Sequence, residues 1–111
     1  MEILFDKKNK YTLCTLKGDL LGEKDGMVIV NSVSKEIESG VSVIVIDASG
    51  LRYVNSAGLG VLITLMTKLK NTGGELIIVN PTEQINKLFT ITKLDKVFNI
   101  KSSIEEVETT I

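Results

Sequence analysis

The run Val43-Ile44-Val45-Ile46 leads into Asp47-Ala48-Ser49-Gly50-Leu51-Arg52-Tyr53-Val54-Asn55-Ser56-Ala57-Gly58-Leu59-Gly60, and a helical pattern follows at once. A short apolar β-branched run reads as a buried strand. Downstream, Leu62, Leu65, Met66 and Leu69 recur at i, i+3, i+4 and i+7, one apolar face of a helix. The stretch is therefore a strand-to-helix connection. A strand is expected at 42–47, a loop after it, and a helix at 57–71. Ser56 stands where that helix begins.

Serine at a helix start has an ordinary role, because its oxygen accepts a hydrogen bond from an orphan N–H of the first turn. Gly58 and Gly60 weaken that explanation, since glycine within a helix costs about 0.5–1 kcal/mol relative to alanine. Glycines there let another backbone approach and keep the surface flat. The same helix start offers free N–H groups and the positive end of the dipole, a ready place for a phosphoryl group.

The rest of the chain is read around this unit. Residues 2–7 alternate as a half-buried strand, Lys7-Lys8-Asn9-Lys10 is a polar turn, and 11–17 form a hairpin partner that Gly18-Asp19 ends. Residues 19–25 are expected to be a loop in which Asp25 caps a helix over 26–39, with Gly40 at its C′ position. Glu75-Leu76-Ile77-Ile78-Val79 is a second buried strand. In Asn80-Pro81-Thr82-Glu83, Asn80 reads as a cap, Pro81 as N1 and Glu83 as N3 of a helix carrying Ile85, Leu88 and Phe89. Residues 97–100 suit a short edge strand, and Ser103 with Glu106 opens a last helix. The predicted order is β-β-α-β-α-β-α-(β)-α. It implies an α/β domain with a mixed sheet of four to five strands and about four α-helices packed on it. The segment after 42–47 lies at the carboxyl end of its strand, where open α/β sheets present their sites.

Composition narrows the function. A chain of 111 residues suits one domain, here 1–111, with a core that needs no staples. Thirteen basic against 14 acidic residues gives a net charge of −1, which offers no basic face for a nucleic acid. The single cysteine, Cys14, allows no internal disulfide and fits a reduced cytoplasm. No signal peptide is visible, and no apolar stretch is long enough for membrane insertion. With no histidine, Ser-His-Asp and Cys-His chemistry and histidine metal sites drop out, and one cysteine removes thiolate metal sites.

The residues Asp47-x-Ser49-Gly50-Leu51-x-Tyr53-x-Asn55-Ser56-Ala57-Gly58-Leu59-Gly60-Val61-Leu62 resemble the signature of the STAS domain. More narrowly they resemble the bacterial anti-sigma factor antagonists. Gly18-Asp19-Leu20 is similar to that family's early Gly-acid-apolar turn, Gly73-Gly74-Glu75-Leu76 to its turn before a strand, and Leu88-Phe89 with Leu94 to its late helix, so the resemblance spans residues 3–107. It implies the same mixed-sheet architecture. It implies that Ser56 is phosphorylated by a serine kinase that is itself the anti-sigma factor, and that a serine phosphatase acts on the phosphorylated form. Partner contacts are implied at Asp19, Tyr53, Val54, Asn55, Ala57, Gly58, Leu59 and Gly60. No cofactor and no metal are expected on this chain, which would be a monomer or weak dimer.

The chain departs from the family at three places. Leu21 stands where many relatives carry a second acid, and the nearby Glu23 and Asp25 do not match that spacing. Asn55 stands where relatives often carry Asp, and Ala57 where many carry a second hydroxyl.

Three classes of function are open to such a chain. An enzyme is disfavoured: no candidate base lies within the motif, Gly58-x-Gly60 is too short for a dinucleotide fingerprint, and no Gly-Lys-Ser/Thr phosphate loop exists. A phospho-switched binding module takes Ser56 as acceptor. Within it Leu59 reads either as an apolar contact or as a core residue, Tyr53 and Val54 share that ambiguity, and Arg52 reads as a rim charge or as a solvated one. The third class is a constitutive scaffold or regulatory subunit with the same fold that is never phosphorylated. The resemblance favours the second.

Overall fold

The structure is a computed structural model that describes residues 1–111, with the side chain of Glu23 outside the described residues. Five strands and four helices follow one another as β1 (Glu2–Lys7), β2 (Thr12–Leu20), α1 (Glu23–Glu38), β3 (Val43–Val54), α2 (Ser56–Asn71), β4 (Glu75–Val79), α3 (Glu83–Ile91), β5 (Asn99–Lys101) and α4 (Ile104–Thr110). A 3₁₀ turn, Leu94–Lys96, precedes β5. The sheet order is β1-β2-β3-β4-β5, with β1 antiparallel to β2 and the other pairs parallel. This is the expected mixed sheet and the expected element order.

Period-two alternation sorts the strand side chains onto two faces. Cys14, Leu16, Ile44, Ile46, Leu76 and Ile78 join Ile29 and Val33 of α1, the apolar face of α2, and Ile85 and Phe89 of α3 in the main core. Three helices therefore share one face of the sheet. The opposite face packs Tyr11, Val45, Ile77 and Val79 under Val107 of α4, whose N-cap Ser103 accepts from the Glu106 N–H as its spacing predicts. Gly40, at φ 102, ends α1 in the left-handed conformation expected of C′.

Several boundaries differ from the sequence expectation. β2 does not stop at Gly18-Asp19 but runs to Leu20, and β3 does not stop at residue 47 but runs to Val54. The two remain paired, with Thr15 opposite Asp47, Lys17 opposite Gly50 and Asp19 opposite Tyr53. The offset between partners grows by one residue at each of two irregularities, so β3 carries two extra residues. Each bulge reverses the alternation. Ala48 and Leu51, an odd number of residues apart, both reach the core, which is why 47–54 looks like loop in one dimension.

The expected loop at 19–25 shrinks to residues 21–22. Asp25 is not the cap of α1: it lies inside the helix, and Gly22 occupies the N-cap with no side-chain cap bond. Nor does Asn80 cap α3. It takes the left-handed conformation, φ 54, that asparagine tolerates, and Thr82 caps through a 3.2 Å bond from the Ile85 N–H. These shifts bring the carboxyl ends of β2 and β3 and the start of α2 to one pole of the sheet.

Candidate functional site

At that pole one residue, Asn55, separates β3 from α2. Its backbone is extended (φ −98, ψ −175), and its Oδ1 accepts a 2.9 Å hydrogen bond from the Gly58 N–H. Asn55 is therefore the N-cap, and Ser56 is not. Asparagine is as good a cap as serine, and β3 continues far enough to put Asn55 at the junction. Ser56 becomes the first helical residue. Its side chain is exposed, and among the described residues its hydroxyl takes part in no hydrogen bond.

The two glycines serve different purposes. A Cβ on Gly58 would overlap the Leu20 carbonyl and lie 2.9 Å from Val54 Cγ1, so this glycine lets α2 close onto the end of β2. The Asn55 N–H donates to the same carbonyl at 3.4 Å. Gly60 is exposed with open space around its Cα, which leaves a flat surface one turn beyond Ser56. Leu59 is 9% exposed and belongs to the core, so of its two readings the structure selects the structural one. Gly58 is likewise buried in the fold. Asn55, Ser56, Ala57 and Gly60 remain at the surface, and Val54 is half-buried.

Asp19 and Arg52 meet across the β2–β3 pairing. Arg52 Nε donates to Asp19 Oδ1 at 3.0 Å and its Nη2 donates to Oδ2 at 3.2 Å, a bidentate pair. The guanidinium lies 5.7 Å from the centre of the Tyr53 ring. The hydrogen bond to Asp19 first, and its negative charge second, raise the Arg52 pKa above its ordinary value. Arg52 was legible in the sequence only as a rim or solvated charge. Its partner is 33 residues away, and the pairing follows from a register that two bulges set. Tyr53 is half-exposed and borders a groove with Leu88 and Ile91 of α3.

The site holds the exposed hydroxyl of Ser56 at a helix start, a flat apolar-to-neutral surface beside it, and a locked charge pair at its edge. The chain has no histidine, and no hydrogen bond joins Ser56 to a basic group among the described residues. Among those residues no three acidic or thiol side chains are gathered as a metal ion requires, and no helix is long and apolar enough to cross a membrane.

Comparison with known proteins agrees with this fold. The STAS domain model matches residues 12–107. A Thermotoga neapolitana protein named as an anti-sigma factor antagonist homologue is 27% identical over 70 residues, 63% of this chain and 62% of that relative. The match thus spans less than two thirds of the relative's own length. Among solved structures, SpoIIAA in its unphosphorylated form superposes with a TM-score of 0.80 at 20% identity, covering 98% of this chain and 96% of the other. The Bacillus cell fate determinant SpoIIAA in its phosphorylated form gives 0.74 at 20% identity, covering 99% and 100%. At these identities the superpositions establish the fold.

Proposed function

The chain belongs to the STAS domain family, and from that premise we propose that it is an anti-sigma factor antagonist switched by phosphorylation of Ser56. In this reading the unphosphorylated chain binds an anti-sigma factor that is also a serine kinase, and the sigma factor is released. The kinase, with its own ATP and magnesium, transfers the γ-phosphoryl group to Ser56 Oγ and lets go. A serine phosphatase hydrolyses the phosphoserine and restores the binding form. The chain itself is a binding module that works in the cytoplasm.

One observation carries the proposal: Asn55 caps α2, which leaves the adjacent Ser56 hydroxyl exposed and without a structural task. Ala57 beside it has no hydroxyl to compete as acceptor. The existence of both an unphosphorylated and a phosphorylated form of a protein with this fold supports the same reading.

The switch is local. A phosphoserine adds about −1.5 to −2 charge at pH 7. At the N-terminus of α2 that charge meets the favourable end of the dipole, which stabilises by about 0.3–1 kcal/mol. The fold therefore has no reason to come apart. Against a docked partner the same group is desolvated without a counter-charge, at a cost of several kcal/mol. Each 1.4 kcal/mol is about tenfold in affinity.

Phosphorylation assays with the cognate kinase test the proposal. Ser56→Ala should abolish labelling, and Ser56→Asp should weaken partner binding at least ~10-fold with amide shift changes confined to the α2 start. Labelling of the alanine variant to the wild-type extent, or unchanged affinity of the aspartate variant, refutes it. Intact mass of protein from its native cell separates it from a scaffold, which would carry no phosphate.

A further inference from the structure

We propose that Asn55-Ser56 is a self-modification site, at which the folded chain loses the Asn55 side-chain amide as ammonia and is left with an aspartyl or isoaspartyl residue beside Ser56. The tripeptide Val-Asn-Ser occurs twice in the chain, at 30–32 and at 54–56. Of the seven asparagines only these two precede serine; the others precede Lys, Thr, Pro, Lys and Ile. A small following residue leaves an asparagine amide open to attack by the next backbone nitrogen, and Asn31 and Asn55 are both exposed. Local sequence and exposure therefore treat the two copies alike, and the fold tells them apart.

The reaction is closure of a cyclic imide. The Ser56 backbone nitrogen gives its proton to solvent and attacks Asn55 Cγ. The N–Cγ bond forms, the Cγ–Nδ2 bond breaks, and Nδ2 takes a proton from water and leaves as ammonia. A water molecule then opens the ring. Cleavage of the new N–Cγ bond gives an aspartyl residue, and cleavage at the backbone carbonyl gives an isoaspartyl residue whose main chain runs through Cγ. Either product places a carboxylate next to Ser56, and the isoaspartyl form also lengthens the connection between β3 and α2.

The start of α2 favours each step. Ser56 is the first residue of the helix, so its N–H has no acceptor there, and among the described residues it has none elsewhere. The positive end of the dipole favours loss of that proton. The Gly58 N–H, 2.9 Å from Asn55 Oδ1, sits on the oxygen that takes up negative charge as Cγ becomes tetrahedral. Ring closure needs Cβ and the Ser56 nitrogen to eclipse across the Cα–C bond. From ψ −175 this is a partial rotation of one peptide, which gives up the 2.9 Å bond from the Leu59 N–H to the Asn55 carbonyl and so opens the first turn of α2. Helix ends open far more readily than helix middles. The other copy lies inside α1. There the Ser32 N–H is held in the helix ladder, and the Ser32 hydroxyl donates to the Val28 carbonyl at 2.8 Å. A helical ψ of about −42° is farther from the eclipsed geometry, and rotation there breaks α1 in its middle.

This chemistry needs neither a kinase nor a phosphate, so its test is separate from that of the switch. Full-length protein is incubated at pH 8, folded or in urea. Each asparagine is followed by peptide mass spectrometry, and the isoaspartyl product is labelled with protein isoaspartyl methyltransferase. In the folded chain Asn55 should convert at least ~10-fold faster than Asn31. In urea the two tripeptides share a sequence and no structure, and their rates should converge. Ser56→Pro removes the attacking N–H at a position where proline suits a helix start, and Asn55 already has the extended backbone that proline requires of its predecessor. That variant should keep Asn55 intact, with a thermal melt to confirm its fold. Isoaspartate at residue 55 arises only through the imide, so the wild-type protein alone decides the matter if the proline variant does not fold. Conversion of Asn55 no faster than that of Asn31 in the folded chain overturns the inference. So does an aspartyl product with no isoaspartyl product, or conversion of Asn55 at the wild-type rate in a folded Ser56→Pro variant.

Discussion

Asparagine and serine stand side by side at the start of α2, and replacing each by alanine separates the residue that holds the helix from the one that is free. Asn55 Oδ1 satisfies the Gly58 N–H at 2.9 Å. Losing such a cap costs about 1 kcal/mol, within a range of about 0.5–2. At about 2.1 cal/mol/K of unfolding entropy per residue, a chain of 111 residues loses ~4 °C in Tm for each kcal/mol. Asn55→Ala should therefore melt ~4 °C below wild type. Ser56 is exposed at the first helical position with no hydrogen bond of its hydroxyl among the described residues, so Ser56→Ala should stay within ~2 °C. Asn55→Asp keeps a capping oxygen and adds charge at the favourable end of the dipole, and it should match wild type. Differential scanning calorimetry of the unphosphorylated proteins at one pH and concentration measures all three. An equal loss in Ser56→Ala and Asn55→Ala refutes the reasoning, because Ser56 would then be part of the cap and its hydroxyl would not be free.

Gly60→Ala should raise stability by about 0.5–1 kcal/mol, since its surroundings are open, whereas Gly58→Ala should lower it by about 1–3 kcal/mol through overlap with the Leu20 carbonyl. Urea titrations that move both midpoints the same way contradict that contrast. Asn55→Asp, harmless before phosphorylation, should lose more Tm than wild type on phosphorylation, because its carboxylate then faces a phosphate of about −1.5 to −2 charge; equal losses in the two phosphoproteins count against it. Burial, with Glu36 adding to it, pushes the Cys14 thiol up to about 12. An unfolded thiol ionises near pH ~8.5, so this raised value contributes stability that is complete below that pH and is lost as pH climbs toward the folded pKa. Folded protein at pH 8 should resist a thiol reagent that labels the urea-unfolded chain at once, and rapid labelling of the folded form would show that Cys14 is reachable.

Much of this molecule could be read along the chain. Val43-Ile44-Val45-Ile46, Glu75-Leu76-Ile77-Ile78-Val79, the i, i+3, i+4, i+7 face of α2 and the i, i+3, i+4 face of α3 announce their elements through neighbours within one or two turns. The Ser103 cap is as local, and so is Ser56's place at the start of a helix. The motif from Asp47 to Leu62 carries the family. What could not be read there depends on a partner strand. β3 extends through residues 47–54 because β2 runs beside it to Leu20, and two bulges scramble the alternation by which a strand is recognised. That extension moved the cap from Ser56 to Asn55 and joined Asp19 to Arg52 across 33 residues. Leu59 and Leu21 show the same division: both are leucines at the site's edge, yet one is 9% and the other 49% exposed. Periodicity reports what a residue's near neighbours do, whereas strand register and burial are set by chain segments that meet only once the sheet has formed.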